Sequence, residues 1–317
     1  MLRELIWSTL FIACSPASQN VPKTTVVSDQ NLVNTETPAE ESKDSLKNLA
    51  LPRLMPGEEQ IHHFAYDLVY SEPHEQAKWV AYELTLAETN SLYERNDRFL
   101  PDPSVKTGSA TDADYAGYNY DRGHLAPAAD MSWSDVAMKE SFFYSNMSPQ
   151  VAGFNRGIWK RLESQVRTWA ILDSSVYIAT GPILKENLYG IGPNKVSVPT
   201  HYYKVVMEYS GNKKKGLGFV MPNAGSSLPL QTYAVSIDSV ERLTGIDFFA
   251  QLPDKDEQEV ESKVCLNCWS WGVVKTRASG TGKTSESVQC KGITKSGSRC
   301  KRLTLSSNGF CFQHGGN

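Results

Sequence analysis

Asp121-Arg122-Gly123-His124-Leu125-Ala126-Pro127, followed downstream by Asn146, Asn155 and Glu163, is the stretch on which the reading of this chain turns. An imidazole, two carboxamides and a carboxylate succeed one another across a candidate strand, a loop and a candidate helix. Histidine changes charge near neutral pH, so a neutral ring can take a proton from water. Gly123 permits a close backbone approach beside that ring. Arg122 offers a forked donor that suits phosphate. A hydrated divalent cation, held by an amide and a carboxylate, would supply the charge that phosphodiester hydrolysis needs on its phosphoryl and leaving oxygens. A single His in an apolar stretch would be an ordinary core residue; the ordered partners change that reading.

The spacing predicts a helix from about Asn155 to Trp169. Ile158, Leu162, Val166 and Trp169 form its apolar stripe. Arg156, Lys160, Glu163 and Arg167 recur at helical steps on another face, presenting positive charge around one carboxylate. A second helix is expected from about Leu230 to Thr244, stopped by Gly245. Strand candidates are Trp79–Leu86, Ser175–Thr180 (ended by Gly181-Pro182), His201–Tyr209 and Leu217–Met221. Strands and helices mix without βαβ alternation, so the expected class is α+β.

With Phe142 to Gln150 and Trp159 to Glu163 added, the ordered motifs resemble the DNA/RNA non-specific endonuclease family, nucleases of the ββα-metal (His-metal finger) type. The resemblance spans roughly residues 60–250. It implies a central antiparallel-rich sheet flanked by helices. It also implies that His124 is the general base and Asn155 the protein ligand of a hydrated Mg²⁺, for which Mn²⁺ could substitute. Glu163 would orient the water around that metal, and Asn146 would help set the site. Arg122 and Arg167 would lie near the scissile phosphate. Arg98, with Arg95 as the neighbouring candidate, would offset phosphate charge. The implied substrate is DNA, with RNA as a second one. The alternative is an envelope protein that binds nucleic acid without cutting it, against which the complete set of His124, Asn155 and Glu163 argues.

The rest of the 317 residues bounds this picture. At 40% apolar and 10% aromatic the chain can bury a large core, which excludes wholesale disorder. A net charge of −3 gives no global attraction to nucleic acid, so any such attraction is local. At the N-terminus, Arg3 precedes the apolar run Leu5–Ala13, too short to cross a bilayer but suited to a signal segment. Ala13 before Cys14 resembles a bacterial lipobox. Residues 1–14 are therefore expected to be a signal or lipoprotein segment, with membrane contact only through lipid on Cys14. The expected location is outside the cell or on a bacterial envelope. Residues 15–50 contain no aromatic residue and read as a disordered tether, and 51–255 as the nuclease domain.

Residues 262–317 carry nine basic residues and one acid, a net of +8, and five of the six cysteines. We read them as a separate basic module. Cys290, Cys300, Cys311 and His314 have the ligand types of a structural zinc site, while disulfides are the alternative in an exported chain. Cys265 and Cys268 then remain for a disulfide or a second metal contact.

Overall fold

Strands that alternate in both directions, each apolar on two faces, build the centre of this protein. The computed structural model describes residues 49–95, 97–210, 213–272, 288–294, 297–300, 303–304, 308–310 and 314. The expected signal segment with Cys14, the expected tether up to residue 48, and Cys311 lie outside those residues. Leu49 and Ala50, within the range read as a tether, are buried against the core.

In chain order the elements are β1 (Gln60–His62), β2 (Asp67–Ser71), β3 (Gln76–Thr85), α1 (Asp112–Tyr115), β4 (Asp121–His124), α2 (Asp135–Glu140), β5 (Met147–Gln150) and α3 (Lys160–Asp173). There follow β6 (Ser175–Pro182), β7 (Gly190–Ile191), β8 (Val196–Ser197), β9 (His201–Ser210), β10 (Lys213–Pro222), β11 (Ala234–Val235), α4 (Ile237–Thr244) and α5 (Asp254–Glu261). The short strands β12 (Val288–Gln289) and β13 (Leu303–Thr304) pair with each other near the C-terminus. The main sheet has seven strands in the order β1-β2-β3-β6-β9-β10-β11, and all its neighbours are antiparallel.

Successive side chains of a strand point to opposite faces. On β3, Val80, Tyr82 and Leu84 join one apolar cluster while Trp79 and Ala81 join another. On β9, Tyr202 and Val206 face the first and Tyr203, Val205 and Met207 the second. A sheet covered on both faces explains why these strands read as nearly continuous apolar runs. One face packs α3 through Leu162, Val166 and Trp169. The other packs α4 and α5 through Ile237, Val240 and Val260. Fully burying such a side chain contributes on the order of 1.5–3 kcal/mol. The pair α4 and α5 lies directly on the backbone of β10. A Cβ at Gly216 would come within 2.6 Å of Ile237 Cδ1 and of Val260, and one at Gly218 within 2.8 Å of Val240 Cγ2.

The α+β class and the four strand candidates are present; three have wider bounds, while β3 starts earlier, at Gln76, and ends at Thr85, leaving out Leu86. β6 runs through Gly181 and Pro182, which pair with Tyr203 and Tyr202. β10 includes the lysine run because Lys214 meets Asp256 at 2.6 Å and Lys215 meets Asp173 at 2.7 Å. Two helix expectations need correction. The helix expected from Asn155 begins at Lys160, because Phe154–Trp159 form a wider π-type turn broken at Gly157 (φ −106°, ψ −108°). The helix expected from Leu230 is a 3₁₀ turn, Leu230–Tyr233, then β11, then α4. Ser236 stops any merger by capping α4, its side chain accepting from the Ser239 N–H. Gly245 closes α4 in the left-handed region, at the position expected.

The start of the basic module is also corrected. Trp269 is buried in the nuclease core, 4.5 Å from Trp169 between ring centres, with Trp271 at 5.2 Å. Ser270 O accepts from Trp169 Nε1 at 2.6 Å and from Gln165 Nε2 at 3.0 Å. A Cys265–Cys268 disulfide closes the turn just before this clamp. Residues 265–272 thus belong with α3, not with the tail.

Candidate active site

The strand pair β4–β5 and the helix α3 converge on a cleft of about 880 Å³. In the β4–β5 ladder Gly123 faces Ser148 and His124 faces Met147. Gly123 is required by close approach: a Cβ there would stand 2.2 Å from the buried Gln150 side chain. His124 ends the strand and lines the cleft, 8% exposed, with its ring edge-on to Phe142 at 4.8 Å. Its Nε2 is buried with no hydrogen-bond partner among the described residues. Burial, reinforced by the positive charge of Arg95, pushes the imidazole down to about 3. The ring is therefore neutral at physiological pH, as a proton acceptor must be.

The loop after His124 is held by Asn146. Its Oδ1 accepts from Ala126 N at 2.9 Å, and its Nδ2 donates to Ala126 O at 2.9 Å and Ser141 O at 2.8 Å. Asn146 is completely buried. Its amide is spent on backbone, so it shapes the turn that carries His124 and does not line the cleft.

Asn155 comes to the same cleft from the π-type turn, an irregularity common at functional sites. Its Nδ2 donates to Asp121 Oδ2 at 2.9 Å. An ionised carboxylate only accepts, so this contact fixes which end of the amide faces Asp121 and leaves the carbonyl oxygen available. Burial alone would raise the Asp121 carboxyl, but hydrogen bonds from Arg156 and Asn155 outweigh it and hold it below its usual range.

The charged face expected on the helix is present: Arg156, Lys160, Glu163 and Arg167 all line the cleft. Beneath them lies a buried charge cluster. Arg167 Nη1 bonds Asp130 Oδ1 at 2.6 Å, and Tyr82 Oη donates to Asp130 Oδ2 at 2.8 Å. Lys204 projects from β9, 1% exposed, with Nζ 4.9 Å from the centre of the Trp159 ring. Burial raises the Glu163 carboxyl to about 7, against the pull of Lys204 and Arg167. Burial lowers the Lys204 ammonium to about 8, with Glu163 opposing.

Arg122 also lines the cleft, 2.6 Å from Asp112 and stacked 4.3 Å over Phe99. Arg98 is exposed and lies outside the cleft lining. Arg95 occupies the site instead, with its guanidinium 5.0 Å from the Phe142 ring centre. The two arginines flank a short segment, and spacing alone does not say which turns inward. Sequence reasoning also missed Asp121 as the partner of Asn155, and Asp130. It missed Lys204 as well, although a lysine between Tyr203 and Val205 in an apolar strand was a usable signal.

The donor set fits a hydrated cation. One amide oxygen and a carboxylate with a raised proton affinity line an open cleft, and Mg²⁺ retains several waters readily.

A family model described as DNA/RNA non-specific endonuclease matches residues 54–255. The chain belongs to that family. It is 36% identical over 199 residues to the Homo sapiens protein named "Endonuclease G, mitochondrial", covering 58% of this chain and 67% of that protein. It is 34% identical over 236 residues to "Nuclease EXOG, mitochondrial" of Xenopus laevis, covering 69% of this chain but 65% of that protein's length. It is 35% identical to "Nuclease C1" of Cunninghamella echinulata var. echinulata, covering 59% and 81%. The solved EndoG/EndoGI complex aligns with TM-score 0.61 at 33% identity, over 69% of this chain and 96% of that one. The architecture is accordingly that of a ββα-metal nuclease, with β4, β5 and α3 as its two strands and helix. The family is metal-dependent, acts on nucleic acid and consists of enzymes.

The names of these relatives overturn one expectation. The human, Xenopus and Schizosaccharomyces pombe proteins are named as mitochondrial, which points away from an exported protein of the bacterial envelope or extracellular space. An apolar N-terminal run followed by a polar stretch does not by itself distinguish one compartment from another.

Near the C-terminus, residues 287–316 match a second family model, a domain of unknown function (DUF5763). Ligand atoms of Cys290, Cys300 and His314 lie within 4.8 Å of one another there. Gly292 makes the room: a Cβ on it would lie 2.3 Å from the His314 ring.

Proposed function

We propose that this protein is an endonuclease that hydrolyses phosphodiester bonds of DNA and RNA with a bound Mg²⁺, using His124 as general base. The observation that carries the reading is the convergence of His124, Asn155 and Glu163, from three separate elements, on one cleft. Asn155 would hold the cation through its carbonyl oxygen, with Glu163 ordering its water shell. Bound there, the cation would supply positive charge to the phosphoryl and leaving oxygens.

The protein's own groups do the rest. His124 stays neutral because it is buried, and it takes the proton of a water aligned with phosphorus. Arg122, Arg167 and Arg95 offset phosphate charge, Arg95 standing where Arg98 was expected. Asp121 orients Asn155, and Asn146 fixes the turn beyond His124. Contacts to backbone phosphate carry no base information, which favours cleavage with little sequence preference. A mitochondrial setting is the location that the relatives' names support.

In the tail, Cys290, Cys300 and His314 support a structural zinc ion, for which Cys311 would be the fourth ligand.

The test is cleavage of supercoiled plasmid and of RNA. Wild-type protein should cut both in Mg²⁺ and stop in EDTA. His124→Ala should keep the wild-type melting temperature and lose at least about 10²-fold in rate, the least expected from removing a positioned base. A folded His124→Ala protein with full activity would end the assignment.

A further inference from the structure

A second group of carboxylates sits on the sheet face that α4 and α5 cover, away from the cleft. Asp238 and Glu241 come from α4 and Glu261 from the last turn of α5, with one oxygen of each lying within 4.8 Å of the others. Glu261 is 4% exposed, and its buried Oε1 has no hydrogen-bond partner among the described residues. Glu241 spends one oxygen on the Phe248 N–H at 2.8 Å, which leaves the other for a ligand. Asp247 and Glu257 add negative charge, while Arg53, their neighbour, is engaged by Asp247 at 2.5 Å. Like charges this close, with Glu261 buried and Asp238 and Glu241 half-buried, are unfavourable unless something positive joins them. Oxygens around one hard cation sit about 2.3–2.6 Å from it, so a single ion could reach all three.

We propose that Asp238, Glu241 and Glu261 form a second binding site for a hard divalent cation, on the opposite side of the sheet from the nuclease cleft. The placement is not accidental to the packing. Gly216 and Gly218 let α4 and α5 lie against β10, which brings the C-terminal end of α5 beside α4. The ion would pin these two helices together and would take no part in phosphodiester cleavage. The ligand set, all oxygen and drawn from two helices, suits Ca²⁺, which accepts irregular carboxylate cages more readily than Mg²⁺ does.

The experiment is a thermal melt of the metal-stripped full chain in the Asn155→Ala background, titrated separately with CaCl₂ and MgCl₂. That background removes the cleft's protein ligand. Expected is a rise in melting temperature of about 5 °C at saturating cation, lost when Glu261→Gln or Asp238→Asn is added. Glu261→Gln alone should still cut DNA in Mg²⁺ at the wild-type rate. Asp238→Asn, at a partly exposed position, serves if Glu261→Gln does not fold. A response to Ca²⁺ below the concentration needed with Mg²⁺ supports a calcium site, and an equal response supports the site without that preference. No shift with either cation would overturn the proposal and leave a proton as what neutralises Glu261. A shift untouched by both substitutions would also overturn it.

Discussion

Gly123→Ala tests how tightly the catalytic strand is registered. The added methyl would stand 2.2 Å from Gln150 Cδ and Oε1 and 2.5 Å from Cγ. Unstrained carbon contacts are about 3.5–4.0 Å, so roughly 1.5 Å must be found. Gln150 cannot swing into solvent, since it is fully buried, two residues along β5 from Ser148, the partner of Gly123. Overpacking of this kind costs about 1–3 kcal/mol, which for a domain of this size lowers the melting temperature by roughly 2–12 °C. The functional effect should be larger, because β4 carries Asp121, Arg122 and His124 together. A misplacement near 1 Å can cost about 10²-fold in rate. The assay is paired: urea unfolding for stability, plasmid nicking for rate. The decisive variant is Gly123→Ala combined with Gln150→Ala. Both amide atoms of Gln150 lack partners among the described residues, so its truncation relieves the clash while forfeiting no hydrogen bond seen there. Recovery of rate and stability in the double variant is expected. If Gly123→Ala alone matches wild type, or the double variant recovers nothing, the close-approach argument is wrong.

Other outcomes follow from the charges and the tail. Burial raises the Glu163 carboxyl well above its ordinary range, so activity should climb as pH rises towards and past neutrality. His124, at about 3, places no titration in that range. Glu163→Gln should flatten that limb at a lower rate, and more Mg²⁺ should move the wild-type limb to lower pH; a limb unchanged in Glu163→Gln would refute the assignment. Because the folded carboxyl is raised, whatever Glu163 adds to stability is present below its ordinary value and lost as pH rises through about 7. The full chain should copurify with one zinc ion, and Cys290→Ser should remove it without loss of DNA cleavage. Metal-free protein with an intact tail would refute that site.

Much of the site was legible because its chemistry is written in local patterns. Arg156, Lys160, Glu163 and Arg167 could be assigned to one face from helical steps alone, although the helix proper starts only at Lys160. What escaped depends on the third dimension. Nothing local says that Asn146 turns inward to tie backbone while Asn155 keeps an oxygen free. Nothing local says that Arg95 rather than Arg98 faces the cleft. Lys204 and Glu163 lie far apart in the chain, and their proximity follows from β9 presenting alternate residues to α3. The boundary at 262 failed for a similar reason: charge and cysteine content change there, but Trp269 and Trp271 answer to Trp169 rather than to their neighbours.

That tryptophan clamp bears on how a minimal catalytic fragment should be cut. Ending a gene at residue 255, where the nuclease family match ends, would unroof Trp169 and strip Lys215 of the Trp269 ring it lies over at 4.4 Å. The raw patch left behind would invite clumping during purification. Packing against α3 carries on at least to Gly272, whose N–H reaches Gln165, so a fragment should include it.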